Sequence, residues 1–268
     1  MPLIYEEGAL RRNRMPRLSR RARWIVIAVL AVVGVEVALQ TWWLPAKWHT
    51  YDAAATGRML VGPDGRTITL TVEWQCEQEP DLIARESGDR VDVLLHRKGF
   101  MGPTYQCPEG GTARISTRLR APLASRPLVD GVTGQPVVHF DGRELATPSY
   151  LPPEYDHPDE DPVPYLPGLA SPPANVPSWT VGFQHGAQSR SGPRLLITQT
   201  RGGEPPAQGE PQASVNGHPA AFVSGSPASG PRSVIWSDGT YTYAVSSGRP
   251  ASLTDGELLR VAEGLHQG

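Results

Sequence analysis

Between Trp24 and Leu44 the chain reads WIVIAVLAVVGVEVALQTWWL, 21 residues interrupted by a single ionisable side chain. At 1.5 Å of rise per residue, a helix of that length spans roughly 30 Å, the thickness of a bilayer's hydrocarbon core. Hydrocarbon offers no partner to a backbone N–H or C=O, so such a segment must be helical if it is to cross. Residues 1–23 carry seven arginines against Glu6 and Glu7, a balance of +5. That cluster places the N-terminal tail in the cytoplasm and everything after residue 44 on the far side. Trp24 opens the segment, Trp42 and Trp43 supply an aromatic belt at its outer end, and Pro45 ends the helical hydrogen-bonding. Glu36 is the one costly residue, at about 2.5–3.5 kcal/mol on insertion scales. It lies only about 9 Å of rise before Trp42, within reach of the headgroups, or it pairs with another membrane helix. The alternative to an anchor is a cleaved signal peptide built on Trp24–Val35, but Glu36-Val37-Ala38 and Ala38-Leu39-Gln40 are poor cleavage sites.

The formal net charge of −2 therefore conceals an asymmetry, because residues 45–268 hold 18 basic and 24 acidic side chains, or −6. No basic stripe interleaved with aromatics runs through that part, which argues against nucleic acid as a partner. Gly and Pro number 28 each, a density few helices tolerate, so the expected fold is mainly β. Lysine occurs only at 47 and 98, pointing to a GC-rich, bacterial genome.

Residues 45–60 read as a stalk and 61–146 as a β domain. Thr67–Gln75 alternates with Ile68, Leu70, Val72 and Trp74 on one face, and Asp89–Arg97, Thr112–Leu119 and Val137–Phe140 are further strand candidates. Cys76 and Cys107 are the only cysteines; in an extracytoplasmic β domain they read as a structural disulfide. Closing the 30 residues between them stabilises by roughly 3–4 kcal/mol in the chain-entropy model. Residues 147–178 are so rich in proline that they read as a solvated, acidic linker, and the carboxylates around Asp156–Asp161 match no calcium loop.

A second unit, residues 179–268, reads as an antiparallel sheet with a C-terminal helix. Its strand candidates are Trp179–His185, Arg194–Thr200, Ala213–Asn216 with Ala220–Val223, Ser233–Ser237 and Thr240–Ser246. Asp238-Gly239 signals a two-residue type I′ hairpin, and Asn216-Gly217 another turn. The closing helix has Thr254 as N-cap with Glu257 at N3, and an apolar face of Leu258, Val261, Ala262 and Leu265.

The order LLITQT, VNGHPAAFV, SVIWSDGTYTYAVSS and LTDGELLRVAEGL, covering about residues 176–265, resembles a bacterial domain of unknown function. That domain occurs in membrane-anchored and sporulation-related proteins and is similar to the curved half-barrel of periplasmic lipoprotein carriers and anti-sigma-factor regulators. The resemblance implies a sheet that cradles a lipid or a partner protein, but it transfers no individual residue. Only about 23 residues precede the apolar segment, too few for the folded cytoplasmic domain of a membrane-spanning anti-sigma factor. Residues 61–146 resemble no named family.

No Gly-x-Ser-x-Gly, HExxH, Walker or GxGxxG pattern occurs, so no catalytic residue, metal or cofactor is assigned. Glu73 with Glu86, or Asp141 with Glu144, are the carboxylate pairs a hydrolase would need. Trp179, Phe183, Trp236, Tyr241 and Tyr243 either line a ligand cavity in the second unit or fill its core. The expected function is a single-pass, membrane-anchored extracytoplasmic binding or sensor protein of the bacterial cell envelope, not an enzyme. Its partners would be an envelope protein or lipid, with the arginine tail against anionic headgroups. A lipid or lipoprotein carrier is the alternative, which requires an apolar cavity between the sheet and the C-terminal helix. A cell-wall hydrolase ranks third.

Overall fold

The computed structural model describes Trp24, residues 29–32, 34–35, 48–101, 110–158, 175–186, 194–202, 212–224, 232–248 and 253–267. It divides the chain into two units, residues 1–47 and residues 48–268. In the first unit, Trp24, residues 29–32 and residues 34–35 are helical. Trp24, Val29, Leu30, Val32 and Val35 are each more than half exposed. Among the described residues no helix is long and apolar enough to cross a membrane. Glu36, Trp42 and Trp43 lie outside the described residues, as does most of the expected span.

The second unit is mainly β and begins well before the expected stalk ends. Its first half comprises β1 (Trp48–Ala54), β2 (Met59–Val61), β3 (Thr67–Trp74), β4 (Asp81–Glu86), β5 (Val91–Phe100), β6 (Gly111–Arg118), β7 (Leu128–Asp130) and β8 (His139–Asp141). These form two sheets, β1-β5-β4 with β7 also on β5, and β6-β3-β2-β8. Alternation fixes which side faces in: Ile68, Leu70 and Val72 of β3 meet Val91, Val93 and Leu95 of β5 in a common core. β1 and β7 follow one another along the same edge of β5, ending at Ala54↔Leu94 and starting again at Val93↔Asp130. At that break the buried Asp130 carboxylate accepts from Ala55 N at 2.6 Å and from Thr133 N at 2.6 Å. Burial pushes the Asp130 pKa up, but the hydrogen bonds from Thr133, Ala55 and Val132 outweigh it and hold the pKa below the ordinary value.

The second half adds β9 (Ala146–Pro148), β10 (His157–Pro158), β11 (Ser178–Gln184), β12 (Arg194–Arg201), β13 (Ala213–Val215), β14 (His218–Ser224), β15 (Arg232–Ser237), β16 (Tyr241–Ser247), α1 (Asp255–Glu263) and β17 (Leu265–Gln267). Seven of them make one antiparallel sheet, ordered β10-β11-β12-β16-β15-β14-β13. Val181, Ile197, Val245, Val234 and Phe222 pair in turn across five strands, an apolar rung on a single face. Helix α1 buries Leu258, Val261 and Ala262 against that face. It opens with the expected capping box, Thr254 and Glu257 exchanging side-chain-to-backbone bonds.

Two turn assignments exchange places. Asn216 and Gly217 both have positive φ, +51° and +85°, the type I′ signature. At Asp238-Gly239 only the glycine is positive. There the Asp238 side chain accepts from Thr240 N and Tyr241 N at 2.8 and 2.7 Å, and pairing resumes at Ser237↔Thr242, so the loop is longer than two residues. The carboxylate's own backbone bonds stabilise this Asx turn without a left-handed aspartate.

The stalk and linker expectations need the same kind of correction. Residues 48–54 and 59–60, expected as stalk, lie in strands β1 and β2 of the two sheets. Residues 147–158, expected as linker, belong to the fold. β9 pairs with the C-terminal strand β17, and Tyr155 is 2% exposed within the core of the second half. Burial of two large apolar side chains, Tyr155 and Leu151, outweighs the preference of a proline-rich stretch for solvent. Residues 159–174 lie outside the described residues.

Candidate functional site

The two β halves of residues 48–268 share a seam, and three features set its geometry. Gln199, 1% exposed on β12, holds the segment that joins the two halves with both ends of its amide. Its Nε2 donates to Glu144 O at 2.9 Å and its Oε1 accepts from Ala146 N at 2.8 Å. Tyr241 donates its phenol to Glu144 Oε2 at 2.7 Å. Arg114 of β6 donates to Thr180 O at 2.6 Å and lies over the Trp179 ring at 5.1 Å, joining the first half to β11. Phe140 is buried in the same core as Trp236 and Tyr241, so the seam is apolar at depth and polar at its rim.

A cavity of about 340 Å³ opens at this rim, walled by Arg58, Arg97 and Arg114 together with Glu73, Trp179 and Thr180. Arg97 is paired with Glu77 at 2.6 Å and also donates to Glu73 O at 3.4 Å. Tyr51 donates its hydroxyl to the same Glu77, and this bond, then burial, raises the tyrosine pKa. Arg58 differs from the other two. It is partly buried, burial draws its pKa below the ordinary guanidinium value, and it has no ion pair or side-chain hydrogen bond among the described residues. A second hollow of about 540 Å³ shares Thr56, Gly57 and Arg58 with the first and continues past Asp130 toward Val176 and Pro177.

Gly57 is what lets the chain enter this wall. Its φ is +140°, and a Cβ there would come within 2.8 Å of Thr71 O and 2.9 Å of Leu70 Cδ1. Both the conformation and the close approach require glycine.

Of the five aromatics expected to line a cavity, only Trp179 contributes to this one. Trp236 and Tyr243 stack at 5.0 Å, Tyr241 tilts against Phe140 and Tyr243, and all three are at most 5% exposed. Phe183 packs at the margin of the same core. Three of the four carboxylates of the expected pairs are engaged by other groups. Glu86 accepts from Arg120 N and from Arg126, Asp141 is held by Arg143, and Glu144 serves Tyr241. Among the described residues no group of three or more His, Cys, Asp or Glu is placed to hold a metal. Cys76 is disulfide-bonded, in a left-handed conformation at the end of β3; Cys107, the other cysteine of the sequence, lies outside the described residues.

Sequence reasoning missed Arg58, Arg97 and Arg114 as a set. They stand 39 and 17 residues apart, on different strands or loops, and each reads as an ordinary solvent-facing arginine. No protein family, no curated protein and no solved structure matches this chain.

Proposed function

We propose that this chain is a single-pass, membrane-anchored extracytoplasmic binding or sensor protein of the bacterial cell envelope, acting without catalysis. Its 48–268 unit would present the seam cavity to a ligand or an envelope partner. The observation that carries the anchoring is the apolar helix of the first unit. Trp24, Val29, Leu30, Val32 and Val35 are helical and between 56 and 67% exposed. In the sequence the run Trp24–Val35 carries no charged or polar side chain, which suits a surrounding of lipid better than one amphipathic face on a surface. Left in water, these five side chains would forgo on the order of 10 kcal/mol of transfer free energy.

The carrier alternative asks for an apolar space between the sheet and helix α1. Leu258, Val261 and Ala262, each 0% exposed, occupy that interface, which favours the binding reading. The test is alkaline carbonate extraction of membranes from cells expressing the full chain, with protease added from the outside of spheroplasts. The expected result is a chain that stays with the membrane, keeps its arginine tail, and loses residues beyond 48 to the protease. Recovery in the medium with a new N-terminus near residue 40 refutes the anchor.

A further inference from the structure

We infer that the seam cavity between the two β halves is a receptor for an oxyanion, a carboxylate or phosphate group carried by a small polar molecule, with Arg58 as its principal ligand. The inference rests on the binding reading above and gives that site a ligand class.

Three arginines line about 340 Å³ of space. Two have partners in the protein: Arg97 pairs with Glu77, and Arg114 is bonded to Thr180 O and stacked on Trp179. These contacts fix their forks in place without exhausting five donors apiece. Arg58 has no such partner among the described residues, though it is partly buried. A guanidinium cannot relieve that by losing its proton at physiological pH, and a partly buried charge without a counter-charge is destabilising. Elsewhere in the unit, interior charge is neutralised by side chains or backbone amides: Asp130 by Ala55 and Thr133, Arg126 by Glu86. Among the described residues Arg58 has no such neutralising neighbour, and it stands where a cavity opens.

Charge bookkeeping agrees in sign. Arg58, Arg97 and Arg114 line the cavity with Glu73, and Glu77 is engaged by Arg97, so among the described residues arginines outnumber carboxylates here. An oxyanion supplies the missing charge and two acceptors that suit the planar fork. Gly57, at φ +140°, sets the backbone path that brings Arg58 into this wall, and the contacts of Arg97 and Arg114 hold the other two guanidinium groups before any ligand arrives. The volume admits a small organic anion and is too confined for a folded partner.

The test is isothermal titration calorimetry of the full chain in detergent micelles and anion-poor buffer, using inorganic phosphate and N-acetylglycine as separate probes. One-site saturable binding of either probe is expected, and which one binds identifies the phosphate or the carboxylate as the natural group. Arg58→Gln should weaken that binding roughly 10- to 100-fold. Arg58→Lys should weaken it less, and Arg118→Gln, an exposed control outside the cavity, should leave it unchanged. Should Arg58→Gln fail to fold, the probe must raise the melting temperature of the wild type and not that of Arg58→Lys to the same degree. The idea is overturned by absence of saturable binding up to about ten times a millimolar dissociation constant, or by Arg58→Gln binding as the wild type does. Chemical conversion of a probe would instead end the non-catalytic reading and leave the site standing. Neither outcome depends on membrane extraction.

Discussion

Replacing Gln199 with leucine should separate a merely adjacent pair of β domains from a single cooperative unit. The side chain is 1% exposed, and its two hydrogen bonds are to backbone groups of the segment that joins the two halves, Glu144 O and Ala146 N. Leucine is close to isosteric, so the substitution opens little cavity, but it strands one C=O and one N–H. Each costs about 1–3 kcal/mol, and about 1–2 kcal/mol returns from the added apolar burial. At the middle of these ranges the net loss is about 2–3 kcal/mol, a large share of the 5–15 kcal/mol typical of a domain. The assay is urea unfolding of residues 48–268, a compact unit in its own right. Trp48 and Trp74 report on the first half and Trp179 and Trp236 on the second, read in variants with the other pair replaced by phenylalanine. Both pairs should show one midpoint, moved equally by Gln199→Leu. Two separate transitions, or a shift confined to Trp179 and Trp236, would refute the shared core, as would a loss below about 1 kcal/mol.

Gly57→Ala should destabilise the unit by at least about 2 kcal/mol in the same assay, because a Cβ at φ +140° would press on Thr71 O and Leu70. Thr254→Ala should cost about 1 kcal/mol by removing half of the capping box at α1. Burial first, then the hydrogen bond to Glu144, raises the Tyr241 pKa to about 12. A raised folded pKa means its contribution is complete below pH 10 and disappears as pH rises toward 12. Alkaline titration should therefore show Tyr241 ionising after the exposed tyrosines, and Tyr241→Phe should flatten the loss of stability in that window. Cys107→Ser should expose one thiol at Cys76 to alkylation and cost roughly 3–4 kcal/mol; a wild-type chain that alkylates without reduction would refute the bridge to Cys107.

What was legible in the sequence follows from where the governing interactions are local. Strand β3 alternates because one face meets a core and the other does not, and Ile68, Leu70 and Val72 show it at period two. The cap at Thr254 and the turn at Asn216-Gly217 are set by residues at most three apart, so a linear reading finds them. β4, with Leu82 alone fully buried over Asp81–Glu86, carries too weak an alternation to announce itself. β2 and β7 are three residues each and take their identity from the strands they border.

The seam is the opposite case, and it is where proline content misled. Density of proline predicts solvated chain when nothing else competes, yet residues 146–158 are pinned by partners more than a hundred residues away in β17 and by Tyr155 in the core. Gln199 within LLITQT reads as the polar end of a strand, and only the fold turns it into a buried clamp between halves. The same holds for the three arginines of the cavity. Ion-paired Arg97, stacked Arg114 and Arg58, without a partner among the described residues, are chemically alike in sequence; their difference arises from which neighbours the fold delivers. What distinguishes the cavity is therefore less any motif than one asymmetry, a partly buried guanidinium at its edge with no partner among the described residues while its two companions are engaged.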